Sequence, residues 1–470
     1  AEDVLFTMQI INDPNIATPA RDSLAIDGKA IQWKKIDDHT ITARLPAAFA
    51  PFLRKLDGAA VPILPRHKWQ LLYEQGKFNE AMPVTMNMTE FVGLGPFLPR
   101  QYHAGQSLTL FRNPLYWKKD RHGAQLPYLD EITFLIVPDL NQLQLKIENG
   151  EIDTFQSIRP EDVERLKDPS SVNRASLLNL GASYDLEGLF FNQNAETNPA
   201  TGKHYLDPTK RRWFTNRNFR KAISFAIDRD TLVKNIFFGM AVPATGVESP
   251  GNKLWFNPQV TLYPHDLKKA LALLRDEGFV RQQEPSGRLK LLDKNGNEVR
   301  FALHTNAGNN LRNAQCIAIK SDLAKLGIAV EYSALDFNSL IAKITQTYDF
   351  DAILLGMGRT DVDPATRMSL WLSSGSNHFW WPRQKSPQTA WEKRIDDAMR
   401  KQLTTYDYAQ RKKYYDEVQA ILADELPLIY TINELIWVYA KRDLGNLKPS
   451  VSRHRTLWNA EELYWTQQTQ

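Results

Sequence analysis

The sequence predicts an α/β protein organised as about three domains or two large lobes. Three observations carry that expectation. Residues 299–355 alternate short apolar strands with amphipathic helices in βαβαβ order, the pattern of a mostly parallel sheet with covering helices. Residues 132–154 place a strand and a helix ahead of GEID and a further apolar position. A chain of 470 residues with 43% hydrophobic side chains also holds enough apolar material for more than one core.

The elements follow in order. Val4, Leu5, Met8 and Ile11 lie at helical spacing until Pro14 stops the pattern. Ile31, Trp33, Ile36, Ile41 and Leu45 carry strand character around Asp37-Asp38, and residues 49–52 and 60–65 read as Pro-interrupted loop. Gly93, Gly95 and Pro96 mark a turn before strands at 107–111 and 132–137, and Leu140, Leu143 and Ile147 form a helical face that ends before Gly150. Residues 186–193, LEGLFFNQ, form an apolar strand. Phe219, Ala222, Ile223 and Ala226 line one helix, Asp230 is placed to cap the next, and Gly239 stops it. Leu267, Ala270, Leu271 and Leu274 repeat the helical pattern. Residues 289–292 and 299–303 flank DKNGNE, where Asn295-Gly296 predicts a hairpin. Gly327 closes the helix after it, and Asp336 is placed to cap another. Strand 350–355, helices over 391–402 and 408–422, and strand content at 428–439 complete the pass.

Composition excludes several classes. Lys+Arg 58 against Asp+Glu 54 leaves +4, too little over this length to argue for a phosphate-backbone partner. The basic stretch from Lys210 to Lys221, with Trp213 and Phe214 inside it, is therefore read as a solvated loop and helix start rather than a nucleic-acid patch. Cys316 is the single cysteine, so no intrachain disulfide or multi-cysteine metal site forms. The apolar stretch 426–440 is too short to span a bilayer and carries Asn433 and Glu434. The opening AEDVLFTMQI lacks the basic and apolar regions of a signal peptide. No nucleophile elbow, phosphate loop or His pair at helical spacing occurs.

Strand 350–355 delivers GMGRTDVDP to the carboxyl end of the sheet, where ligands sit in open α/β folds. Arg359 and Asp361, with Trp380 and Trp381 further on, would suit an amphipathic ligand with a charged end. Packing of the Trp380-Trp381 loop onto its own lobe explains the same aromatics equally well.

Several segments are familiar in order and spacing: AEDVLFT at 1–7, GLGPF at 93–97, LFRNPLYWKK at 110–119, LPYLDEITFLIVPD at 126–139, NGEIDT at 149–154 and NRNFRKAISFAIDRDTLV at 216–233. With these the chain resembles the family 5 extracellular solute-binding proteins, peptide/nickel-type receptors of bacterial ABC importers. The resemblance implies a two-lobed periplasmic-binding-protein fold (type II, cluster C-like) with an extra subdomain on lobe one. Ligand would be trapped between the lobes by hinge closure and released unaltered, without cofactor or metal. The implied division is 1–90 for part of the extra subdomain, 91–190 with 435–470 for lobe one, and 191–434 for lobe two. The crossovers would follow Phe190-Phe191-Asn192 and return near 430–437. In the family the AEDV segment lies well inside the mature protein, so the chain is expected to be an excerpt without its signal sequence and the first part of lobe one. A sheet edge or apolar face would then stand uncovered. Location would be periplasmic or lipid-anchored. The partners would be a peptide or small solute and a membrane permease, with no nucleic acid and a monomeric receptor.

Site residues follow position by position. Tyr348-Asp349 and Gly356 match the family's pattern, while Met357 stands where a Trp is usual. Aligning Asp363-Pro364 puts Thr360 at the position of the acid that holds a peptide's amino terminus, with Asp361 one residue later. The expected ligand-binding set is Asp361, Thr360, Arg359, Met357, Trp380, Trp381, Asn192 and Asn433. A non-peptide solute such as a sugar or metal chelate, or a hydrolase on an α/β scaffold, are the alternatives.

Overall fold

The computed structural model describes residues 1–466 apart from 17, 19, 27–28, 57–60, 83–85, 168–174, 360 and 453. Two sheets organise it. The larger has five strands in the order Ala329–Leu335, Arg300–Asn306, Ala352–Met357, Leu186–Phe191 and Leu428–Tyr430. The first three run parallel, as the βαβαβ pattern requires, and Leu186–Phe191 joins them antiparallel. Both faces are covered. Side-chain alternation sends Leu189 and Phe191 into one core with Phe214, Phe219 and Phe301, and Leu186 and Phe190 into the other with Trp371, Tyr415 and Leu428. The crossover helices start at side-chain caps: Asn309 accepts from Arg312 N, and Asp336 accepts from Ser339 N.

The second sheet is centred on Ile432–Lys441, flanked by Thr154–Phe155, Ala175–Ala182 and the short strand Ala241–Pro243. A separate antiparallel sheet, Phe97–His103, Ser107–Arg112 and Glu131–Leu135, lies beside it in sequence. Glu131–Leu135 is an edge strand, and Phe134, Leu135 and Ile136 are exposed along it. The N-terminal stretch holds helices Glu2–Asn12 and Arg66–Glu74 and the hairpin Gln32–Lys35/Ile41–Arg44, with small cores around Met8 and Ile11 and around Phe6 and Trp69. It also touches the end of helix Ala390–Thr404, where Ala50 N donates to Leu403 O at 2.8 Å. No described helix is long and apolar enough to cross a membrane.

Three local expectations are corrected. Strand Leu186–Phe191 belongs to the five-stranded sheet, so the chain crosses between sheets at 183–185, before this strand rather than after it. All six of its residues are buried, and a strand covered on both faces carries no alternation to say which sheet it joins. The DKNGNE turn forms, with Gly296 at φ +82° and Asp293 Oδ1 accepting from Asn295 N and Asn297 N. Its arms then part: Leu289–Leu292 pairs with Val280–Gln283, and Arg300–Asn306 enters the central sheet. Finally, Asp228 rather than Asp230 caps helix Arg229–Asn235, accepting from Thr231 N at 3.0 Å.

Candidate functional site

The two sheets are joined where Ala182 leads to Leu186 and where Tyr430 leads to Ile432. These crossovers are hydrogen-bonded to each other. Ser183 N donates to Glu434 O at 2.8 Å, and Asn433 Nδ2 donates to Asp185 O at 3.2 Å. A third tie comes from Ala241–Pro243, which pairs with the start of Ile432–Lys441, while Met240 packs among Ile147, Val163 and Tyr439. Gly239, at φ +78°, turns the chain out of the preceding helix towards this strand.

A cavity of about 280 Å³ opens at this junction. Asp185 and Glu187 line it from the first crossover and Glu434 from the second; Arg312 comes from helix Asn310–Ala324, Met357 from the end of strand Ala352–Met357, and Arg455 from the C-terminal segment. The wall therefore draws on both sheets and on the carboxyl ends of the parallel strands. It also carries both signs of charge. Glu187 is buried and accepts from Arg312 Nε at 3.1 Å and from Gln315 Nε2, and Arg312 Nη1 donates to Asn306 Oδ1 at 2.6 Å. Gly356 makes room for this pair, because a Cβ there would lie 2.4 Å from Arg312 Nη2. Burial raises the Glu434 carboxyl from 4.5 to about 7, helped by Glu187 and Asp185 and opposed by Arg312 and Arg455.

Met357, Arg359 and Asn433 converge on the crossovers. Met357 lines the cavity. Arg359 N donates to Asp185 Oδ1 at 3.0 Å, but its guanidinium is turned inward. Nη1 pairs with both oxygens of Glu248, at 2.5 and 2.6 Å, Nε donates to Asp361 O and Nη2 to Val362 O. Tyr415 Oη donates to Glu248 as well. The Arg359 side chain thus shapes its own loop. Asp361 is half-buried and accepts from Arg54 Nη1 at 3.1 Å, so a cation from the N-terminal stretch already faces it. Thr360 lies outside the described residues.

Asn192, Trp380 and Trp381 are elsewhere. Register pairs Leu186 with Met357 at the cavity end and Phe191 with Ala352 at the other, so Asn192 stands about 20 Å down the strand. There its Nδ2 donates to Tyr348 O and Phe350 O, both at 2.9 Å. Gln193 N donates to Trp380 O at 2.6 Å, and the Trp380 ring is buried against Trp371, His378 and Trp391. Trp381 is half-buried, with the Arg211 guanidinium 5.3 Å from its ring. The cavity's charged residues went unpredicted. Glu434 alone carried a signal, as an acid inside an apolar stretch. Among the described residues, no cluster of three or more metal-ligating side chains is placed to hold an ion.

Comparison with known proteins places this geometry. The model of bacterial extracellular solute-binding proteins, family 5 middle, matches residues 1–379. A probable ABC transporter-binding protein of Deinococcus radiodurans is 26% identical over 447 residues, covering 91% of this chain and 73% of that protein. The oligopeptide-binding protein AppA of Bacillus subtilis is 25% identical over 416 residues, covering 84% of this chain and 67% of AppA. The solved structure of that AppA in complex with a nonapeptide superposes with a TM-score of 0.74 at 22% identity, over 99% of this chain and 84% of that one, a likeness of fold.

Proposed function

Because the chain belongs to the family 5 bacterial extracellular solute-binding proteins, we propose that it is the solute receptor of an ABC importer and that its solute is an oligopeptide. The family consists of binding proteins, not enzymes. The observation that carries the reading is the cavity at the junction of the two sheets, walled by residues of both. A ligand there touches both bodies at once, so binding favours whichever arrangement brings them together. Acids and arginines on one wall suit a zwitterion, and a peptide is one. The oligopeptide-binding relative supports the same class. Asp185, Glu187, Glu434, Arg312 and Met357 are the residues proposed to meet the solute, with Asp361 and Thr360 on the adjoining loop. Micromolar capture needs only about 8 kcal/mol net, which a few desolvated charge-assisted hydrogen bonds and apolar burial supply. The receptor would act as a monomer, periplasmic or lipid-anchored, and hand its solute to a membrane permease. The test is native mass spectrometry of the chain against a defined peptide library. Retention of intact peptides, weakened by Arg312→Glu, is expected. Retention of none, or recovery of cleaved products, refutes the proposal.

A further inference from the structure

A second cavity, of about 240 Å³, lies within the larger-sheet body and shares no lining residue with the first. Its walls come from helix Arg229–Asn235, from residues 243–245 and 261–265, and from Tyr430 beside the second crossover. Three lining residues, Thr245, Tyr263 and Tyr430, carry hydroxyls that are buried and have no hydrogen-bond partner. Tyr430 is 3% exposed. Buried polar groups are normally satisfied, so three orphans on one small cavity call for an acceptor or donor that belongs there.

Arg229 tells which. Its guanidinium is buried and lines the same cavity. Nε donates to Tyr430 O at 2.8 Å, Nη1 to Ser224 O at 2.8 Å and Tyr263 O at 3.1 Å, and Nη2 to Ser224 Oγ at 2.9 Å. All of these acceptors are neutral. Among the described residues no carboxylate lies within ion-pair distance of Arg229. Carbonyl dipoles offset part of the cost of burying a cation, but no net charge answers it. Burial accordingly lowers the Arg229 pKa to about 10. The acids nearby do not fill the role. Asp424 pairs with Arg217 and Lys221, Glu425 pairs with Arg217, and Asp230 stands exposed on the wall.

We infer that this cavity is a binding site for a small oxyanion, a carboxylate or phosphate group, held by the hydroxyls of Thr245, Tyr263 and Tyr430 beside the uncompensated guanidinium of Arg229. Three hydroxyl donors and the remaining Nη2 hydrogen match the lone pairs of such a group. The site is independent of the peptide reading and would hold if the cleft took another solute.

The test uses the 470-residue chain. Inorganic phosphate and acetate are titrated separately by calorimetry at constant ionic strength, into the natural protein and into Tyr263→Phe, Tyr430→Phe and Thr245→Val. Saturable binding of at least one anion is expected, weakened about tenfold or more in each variant. Each variant removes a hydroxyl that lacks a partner, so unliganded thermal midpoints should be unchanged or higher. Whichever anion binds more tightly identifies the source of the group. No saturable binding of either anion, or equal affinity in all four proteins, overturns the inference. So does a crystal structure at phosphate saturation that shows only water in the cavity.

Discussion

Glu434→Gln separates the charge of the cavity's central acid from its shape. In the folded chain the Glu434 carboxyl titrates at about 7, against 4.5 ordinarily, chiefly because burial disfavours its ionised form and secondarily because Glu187 and Asp185 are near. Between those two values the native state holds a proton that the unfolded chain has released. The stabilisation is therefore complete below about 4.5 and is lost as pH rises through about 7. That difference corresponds to roughly 3 kcal/mol. Access of solvent to the cavity reduces the expected effect to about 1–3 kcal/mol. The glutamine variant keeps the volume and cannot ionise. Urea unfolding at pH 4.5 and pH 8 should show equal midpoints for both proteins at the acid value and a higher midpoint for the variant at pH 8. A variant less stable than the natural protein at pH 8, or one with the same pH dependence, would refute the assignment of Glu434 as a strained acid.

Three further outcomes follow from the same geometry. Arg359→Met leaves Glu248 buried without its cation and should cost about 3–5 kcal/mol of unfolding free energy in urea titration, far more than a surface ion pair. Gly251→Ala places a Cβ 2.1 Å from Ala182 O, backbone at the first crossover, and should lower the thermal midpoint by the equivalent of about 1–3 kcal/mol. Asp228→Ala removes the cap of helix Arg229–Asn235 and should cost about 1 kcal/mol, whereas Asp230→Ala should cost little; equal losses in calorimetry would contradict the placement of the cap.

The parallel trio of the central sheet was legible because each strand there is short and apolar, each helix has its own periodicity, and Asp336 and Gly327 punctuate them. The sheet to which Leu186–Phe191 belongs was not, since burial on both faces erases the alternation that would orient it. That one ambiguity displaced a crossover and carried Asn192 into the expected site. Met357 was placed at the cavity because a strand end is a local property. The Arg312–Glu187 pair joins residues 125 positions apart and has no local signature. Trp380 follows the strand end in sequence, but the chain has by then returned to the opposite end of the sheet, where Gln193 meets it. Arg359 looked like a ligand-binding cation because its partner Glu248 lies 111 residues away.

The central claim is that a solute draws the two sheet-bearing bodies together. Cysteines introduced as N149C and K320C report on it directly, since Asn149 and Lys320 are exposed and the natural Cys316 is fully buried. With donor and acceptor dyes at these positions, single-molecule energy transfer measures the distance between the bodies with and without a peptide retained in mass spectrometry. A shift to a shorter distance that tracks peptide occupancy and reverses on dialysis, with the peptide recovered intact, is predicted. An unchanged distance at saturating peptide would contradict the account.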